Sequence, residues 1–317
     1  MRLTGEMHDG DNVVGIYLCK QKNLAQTKNG KDYENVTLTD KSGSLNCKIW
    51  DPNSMGIGDF DVNDYVEVHG RITIYNGALQ MSIDRARKAS EGSYDPADYL
   101  PVSSRNIETM YKELLAHVES VKTPYYRLLM ESIFVEDQNF VKKFKMHSAA
   151  KTVHHGFVGG LLQHTVAVCD LCEFYCKAYP KLDHDLLICA ALCHDIGKVK
   201  ELSEFPTNEY TDEGQLLGHI VMGVEMVGAK IAQIKGFPPV KASQLKHCIL
   251  AHHGEFEYGS PKKPALIEAV ALNFADNTDA KLESFMEILS KSAVNQGEGN
   301  SWLGFNKLFD SNLRPTV

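Results

Sequence analysis

The chain has 317 residues, 43% of them hydrophobic, and a formal net charge of −8. That length supports two domains with separate cores, and the acidic balance means that any nucleic-acid contact must come from a local basic stretch. The first residues, Met1 to Glu6, hold no apolar signal-peptide core, and the longest apolar run, Leu186 to Cys193, is far short of a bilayer span, so the expected home is the cytoplasm with no membrane partner.

Taken in order, the chain opens with short β-like runs at Val13 to Leu18, Tyr33 to Leu38, Leu45 to Trp50, Tyr65 to Ile74 and Ala78 to Ile83. Turn signals separate them, notably Asn29-Gly30, Ser42-Gly43 and Asn76-Gly77. Five strands at this spacing predict a small all-β barrel over residues 1–90. Between Asp11 and Asp32 there is no acid, whereas Lys20, Lys22, Lys28 and Lys31 are present. Tyr17, Tyr33, Trp50 and Tyr75 are the aromatics on offer; in strands most such rings are core, and Tyr33, beside the basic loop, is the first choice for an exposed platform.

Residues 91–105 are read as a linker, with Pro96 and Pro101 and no periodicity. From Asn106 the apolar residues take helical spacing, as in Ile107, Met110, Tyr111, Leu114, Leu115 and Val118, and residues 106–317 are predicted to be an all-α domain. The expected helices cover roughly 105–120, 124–135, 137–145, 159–178, 184–194, 215–234, 240–252 and 265–290. Cys169, Cys172 and Cys176, and likewise Cys189 and Cys193, recur at helical steps and read as reduced, buried small hydrophobes.

The histidines set the chemistry. Ten of the 13 fall between His147 and His253, several inside apolar helices. In chain order His164, His194-Asp195, His219, His252-His253 and Asp276 make a set of imidazoles and carboxylates suited to borderline divalent metals such as Mn, Fe, Co, Ni or Zn, and a bridging aspartate can hold two ions. Gly197 is expected to turn the backbone so that Lys198 faces the same cavity, as a phosphate ligand or as a capping charge. Adjacent side chains at a helix end are expected to diverge, giving one ligand and one substrate contact or group behind a ligand, with His252 favoured over His253 as the ligand. Asp279, one turn beyond Asp276, either orients it or is solvated.

His164, His194, Asp195 and Asp276 resemble the H…HD…D signature of the HD phosphohydrolase superfamily, and His219 with the paired histidines resembles its two-metal branch. The order of strands resembles an OB-fold of the nucleic-acid-binding type. The loop Gly254-Glu255-Phe256-Glu257-Tyr258 lacks the Gly-Tyr-Pro of the cyclic-di-GMP branch. An OB-fold ahead of an HD domain, Asp95-Pro96-Ala97-Asp98-Tyr99-Leu100-Pro101, His154-His155 before Gly159-Gly160-Leu161-Leu162-Gln163-His164-Thr165, and His252-His253-Gly254 leading to Gly259-Ser260-Pro261 together resemble the YhaM-type 3′-to-5′ exoribonucleases. The resemblance implies a metal-dependent phosphodiesterase acting mainly on single-stranded RNA and sometimes on DNA, with two ions, manganese foremost. It implies catalytic roles for His194, Asp195 and Lys198, and metal ligation by His164, His194, Asp195, His219, His252 and Asp276. It implies substrate contacts at Lys151, His154, His155, His253 and Ser260, with Lys31, Tyr33 and Trp50 on the barrel. A homo-oligomer is compatible with the family. Two other readings compete: a small-nucleotide phosphohydrolase with a structural barrel, and a single-strand-binding protein with an inactive HD domain.

Overall fold

The computed structural model describes residues 2–27, 29–100, 102–151, 156–293 and 302–316; Lys28, His154 and His155, singled out above, lie outside them. The chain divides into two compact units, Met1–Val102 with Phe205–Thr207, and Ser103–Glu204 with Asn208–Val317.

In the first unit five strands close into a barrel: β1 (Asn12–Gln26), β2 (Asp32–Asp40), β3 (Gly43–Ile49), β4 (Tyr65–Tyr75) and β5 (Ala78–Lys88). Their order is β1-β2-β3-β5-β4, β4 pairs back on β1 antiparallel, and β3 runs parallel to β5. Alternate residues point inward, Leu45, Cys47 and Ile49 from β3 and Val66, Val68 and Ile72 from β4, and form one core with Val36, Leu38 and Met81. At the register shift beside Gly70 the strands approach so closely that a Cβ there would lie 2.5 Å from the Ser82 carbonyl oxygen, which restricts the position to glycine. Tyr17 is wholly buried, as an inward strand aromatic should be. Part of the segment read as a linker packs onto this barrel: Tyr94 stacks on Tyr65 at 3.9 Å, and Tyr99 and Leu100 are buried.

The second unit is helical. Its elements are α1 (Ile107–Ser120), α2 (Pro124–Phe134), α3 (Gln138–Met146), α4 (Gly160–Ala178), α5 (His184–Cys193), α6 (Lys198–Glu201), α7 (Asp212–Gln233), α8 (Pro239–Ala251) and α9 (Ile267–Ala293). Side chains of Asn106, Asp137, Asp183 and Thr211 accept first-turn N–H groups and set the starts of α1, α3, α5 and α7. Every residue of α5 from Asp185 to Cys193 is buried, which explains its unbroken apolar sequence. Around it Leu114, Leu129, Leu162, Leu245 and Leu272 bring α1, α2, α4, α8 and α9 into one core. A short hairpin, β6 (Gly304–Asn306) and β7 (Ser311–Leu313), departs from the all-helical expectation. No helix among the described residues is long and apolar enough to cross a membrane.

Candidate metal centre and barrel aromatics

Helix ends gather the polar residues of this unit. Gly159, in the left-handed region at φ 83°, opens α4 and puts His164 in its second turn. α5 stops at Cys193, and His194 and Asp195 form the corner that leads into α6. α7 is broken at Gly218 (φ 74°, ψ 155°), so that the helix restarts at His219. His252 and His253 follow the last residue of α8, and α9 supplies Asp276 and Asp279.

Each of the five histidines has an oxygen against Nδ1. His194 faces the Ala191 carbonyl at 2.7 Å, His252 that of Ile249 at 2.7 Å, and His253 that of Tyr258 at 2.7 Å. His164 faces Asp279 at 2.6 Å and His219 faces Glu201 at 3.0 Å. In a neutral ring an acceptor there keeps the proton on Nδ1 and makes Nε2 the nitrogen that can accept or ligate. These Nε2 atoms converge in two groups, His164 and His194 with Asp276, and His219 and His252 with His253. Asp195 stands between them: its Oδ2 lies 3.5 Å from His164 Nε2 and 3.4 Å from His194 Nε2, and its Oδ1 lies 3.3 Å from His219 Nε2 and 3.7 Å from His252 Nε2.

This is an arrangement of acceptors facing acceptors. The Nε2 atoms of His164 and His194 are 3.1 Å apart, and Asp195 Oδ1, His219 Nε2 and His252 Nε2 are buried without a hydrogen-bond partner among the described residues. Orphaned lone pairs in a buried site are costly unless a cation satisfies them. Ligands of one ion at about 2.0–2.2 Å lie about 3.0–3.5 Å from each other. The contacts of Asp195 with His164, His194 and His219 lie in that range, and those of His252 with Asp195 (3.7 Å) and of His194 with Asp276 (3.9 Å) somewhat beyond it. Nitrogen with carboxylate oxygen and no thiolate fits the borderline divalent metals. The residues therefore fit a pair of ions with Asp195 between them.

The surrounding charge calls for a cation: burial opposes a charged His164, but the carboxylates of Asp276 and Asp279 outweigh it and push its pKa up to about 10, so without an ion the ring takes up a second proton that a bound metal would displace. Burial, with His253 and His194 alongside, drives His252 well below the ordinary value, and burial beside His219 lowers His253, so both rings stay neutral. Burial opposes ionisation of Asp195 as well, yet Lys198 and His194 hold its carboxyl well below the usual range. Lys198 reaches Asp195 Oδ2 at 2.7 Å.

His164, Asp195, Lys198, His253 and Asp276 open on a cavity of about 590 Å³ that runs along α9 past Asn273, Asn277 and Lys281. Asn273 donates to the His252 carbonyl at 2.7 Å, and a Cβ on Gly254 would strike its amide at 2.6 Å, which pins the His252-His253-Gly254 turn.

Several expectations need correction. The paired histidines do not diverge: their ring centroids are 4.4 Å apart, because the chain turns at Gly254 (φ 79°) and aims His253 back over His252. The chain does turn at Gly197 and Lys198 does face the cavity, but what the position needs is small size, not a special backbone: it sits at φ −63°, and a Cβ would lie 2.0 Å from the His219 carbonyl oxygen. Ser260 is buried, with its hydroxyl oxygen 3.0 Å from the Leu250 carbonyl and 2.6 Å from that of Lys262, so it braces a loop and does not line the cavity. Lys151 keeps the exposed position that a substrate contact requires, and pairs with Glu209. Asp279 is neither solvated nor aimed at Asp276 but holds His164. Glu201, Asn273, Asn277 and Lys281 were not singled out by the sequence reading.

On the barrel the Tyr33 and Trp50 rings lie 5.2 Å apart at 32°, Lys48 Nζ sits 5.1 Å from the Tyr33 centroid, and Trp50 is 47% exposed. Lys31 and Tyr75 are exposed.

Residues 161–281 match the family described as HD domain, and residues 19–89 match the family described as OB-fold nucleic acid binding domain. Among solved structures the second OB-fold domain of replication protein A from Methanococcus maripaludis aligns at 18% identity and TM-score 0.23, over 30% of this chain and 98% of that one. The chain thus joins an N-terminal OB-fold barrel to a helical domain that matches the HD domain. That pairing supports a metal-dependent phosphohydrolase acting on nucleic acid.

Proposed function

We propose that this chain is a divalent-metal-dependent 3′-to-5′ exoribonuclease that removes nucleotides from single-stranded RNA, with single-stranded DNA as a second substrate. The observation that carries the reading is Asp195, whose two oxygens each face a separate group of histidine nitrogens. His164, His194 and Asp276 would hold one ion, His219, His252 and His253 the other, and Asp195 both. Manganese is the first candidate, with Fe, Co, Ni or Zn open to the same ligands. Such a pair supplies Lewis acidity toward a phosphoryl group and activation of water.

The remaining work falls to the protein. Lys198, anchored on Asp195, offers its ammonium to a non-bridging phosphate oxygen entering the cavity. Lys281 and Asn277 stand further along α9 in the same cavity, and Lys281 forms no ion pair among the described residues, so it is free to take the next phosphate of a strand. Tyr33 and Trp50, with Lys48 and Lys31 close by, offer bases a stacking surface of the kind OB-folds use for single strands. Eight free cysteines suit a reducing compartment, the cytoplasm.

The test is digestion of a 5′-labelled single-stranded RNA with Mn²⁺ and then with chelator. A ladder that chelator abolishes supports the reading. No cleavage points to a binding protein with an inactive domain, and activity on mononucleotides alone points to a small-nucleotide phosphohydrolase.

A further inference from the structure

Glu201, the last residue of α6, belongs to no motif in the sequence, yet one of its oxygens contacts both the main chain and the ring of a candidate ligand. α7 breaks at Gly218, which leaves the N–H of His219 without an acceptor inside its own helix. Glu201 Oε1 accepts that N–H at 2.9 Å and the ring Nδ1–H of the same residue at 3.0 Å. One carboxylate oxygen therefore fixes both the main chain and the ring of His219.

The backbone of Glu201 is itself held. Its carbonyl oxygen accepts from Thr211 N at 2.9 Å, and a Cβ on Gly214 would stand 2.2 Å from it. The close approach of Gly197 to the His219 carbonyl locks the other side of the same contact. The product is a His219 Nε2 buried without a hydrogen-bond partner among the described residues, 3.3 Å from Asp195 Oδ1. Of the five histidines only His164 and His219 lean on carboxylates, one in each group; the other three lean on neutral carbonyls. A carboxylate behind an imidazole fixes its tautomer and raises its basicity toward a metal.

We propose that Glu201 is a positioning residue of the centre: by holding His219 through main chain and ring, it sets the affinity of the His219–His252–His253 half for a divalent ion and leaves the other half alone. This rests on the reading of these residues as a two-ion site.

Calorimetric titration of metal-stripped full-length protein with Mn²⁺ tests it, on wild type, Glu201→Ala, Glu201→Gln and His219→Ala, with thermal melting of each before metal is added. Wild type is expected to bind two equivalents and His219→Ala one. Glu201→Ala should bind one equivalent as wild type does and the second roughly 10- to 100-fold more weakly, the range for lost outer partners of metal ligands. Glu201→Gln keeps an oxygen acceptor for both hydrogen bonds and should lose less than about 10-fold at that half. Two wild-type affinities in Glu201→Ala beside a one-equivalent His219→Ala would overturn the inference alone. So would equal weakening of both halves, or a Glu201→Gln variant that folds and yet binds as Glu201→Ala does. Two equivalents in His219→Ala, or fewer than two in wild type, would overturn the two-ion reading together with it.

Discussion

At the scale of single residues, the account rests on Asp195 being the carboxylate shared by both groups of histidines. Asp195→Asn keeps the shape and removes the charge. Hydrolysis should fall by more than about 100-fold, since outer partners of metal sites already cost up to that much. Wild type should also gain thermal stability on addition of Mn²⁺, because an ion that binds only the folded state contributes about 2.7 kcal/mol at 100 times its Kd. That gain should vanish in Asp195→Asn. Equal stabilisation of both proteins by the metal would show that the ions bind elsewhere. Chain order made His164, His194, Asp195, His219, His252 and Asp276 legible as one set, because imidazoles placed in apolar helices need partners. Glu201 was not legible: its partner lies 18 residues away across a helix break, and helical periodicity runs through Gly218 without marking the break. A glycine directly before a histidine inside an apolar helix was the available hint.

Between elements, close packing and capping position the centre. Gly197→Ala would drive a Cβ to 2.0 Å from the His219 carbonyl, so α6 and α7 must separate. A loss of about 1–3 kcal/mol in stability is expected, with weakened binding of one metal equivalent; unchanged melting would mean that this contact yields freely. Asp185 ties α5 to the start of α2 by accepting from Lys122 N at 3.0 Å and Thr123 N at 2.5 Å. Burial pushes its carboxyl up, but hydrogen bonds from Thr123 and His184 outweigh that and hold its pKa below the ordinary value. Its contribution is thus present above the unfolded value of about 3.9 and is lost as pH falls through the lower folded value. Asp185→Asn should flatten the acid limb of the Tm–pH curve below about pH 4, and an unaltered limb would rule out this link. The second half of β1 also escaped the sequence reading. Lys20 to Gln26 is mostly polar, and only its pairing with Asp32 to Thr37 makes it a strand. The terminal hairpin, with three residues per strand, offers too short a run for any period to register.

For the whole molecule, the proposed function divides the labour: aromatics on the barrel would hold bases and the helical unit would cut. Tyr33→Ala or Trp50→Ala should weaken binding of a single strand of about 20 nucleotides by roughly 1–3 kcal/mol, while hydrolysis of a small chromogenic phosphodiester stays unchanged. Lys281→Ala should lower the slope of log K against log salt by about 0.7, the share of one phosphate on a single strand. The barrel was legible as five short runs between glycine turns. How Tyr94 and Tyr99 would pack after it was not, because they find Tyr65 only once the strands are in place.

The most direct measurement is a time course on a 5′-labelled hairpin RNA with a single-stranded 3′ tail, in Mn²⁺, with wild type and Asp195→Asn side by side. The account predicts labelled products that shorten one nucleotide at a time to the edge of the duplex and stop there, and intact RNA with Asp195→Asn. Internal cuts in the tail, digestion straight through the duplex, or an Asp195→Asn protein as active as wild type would contradict it.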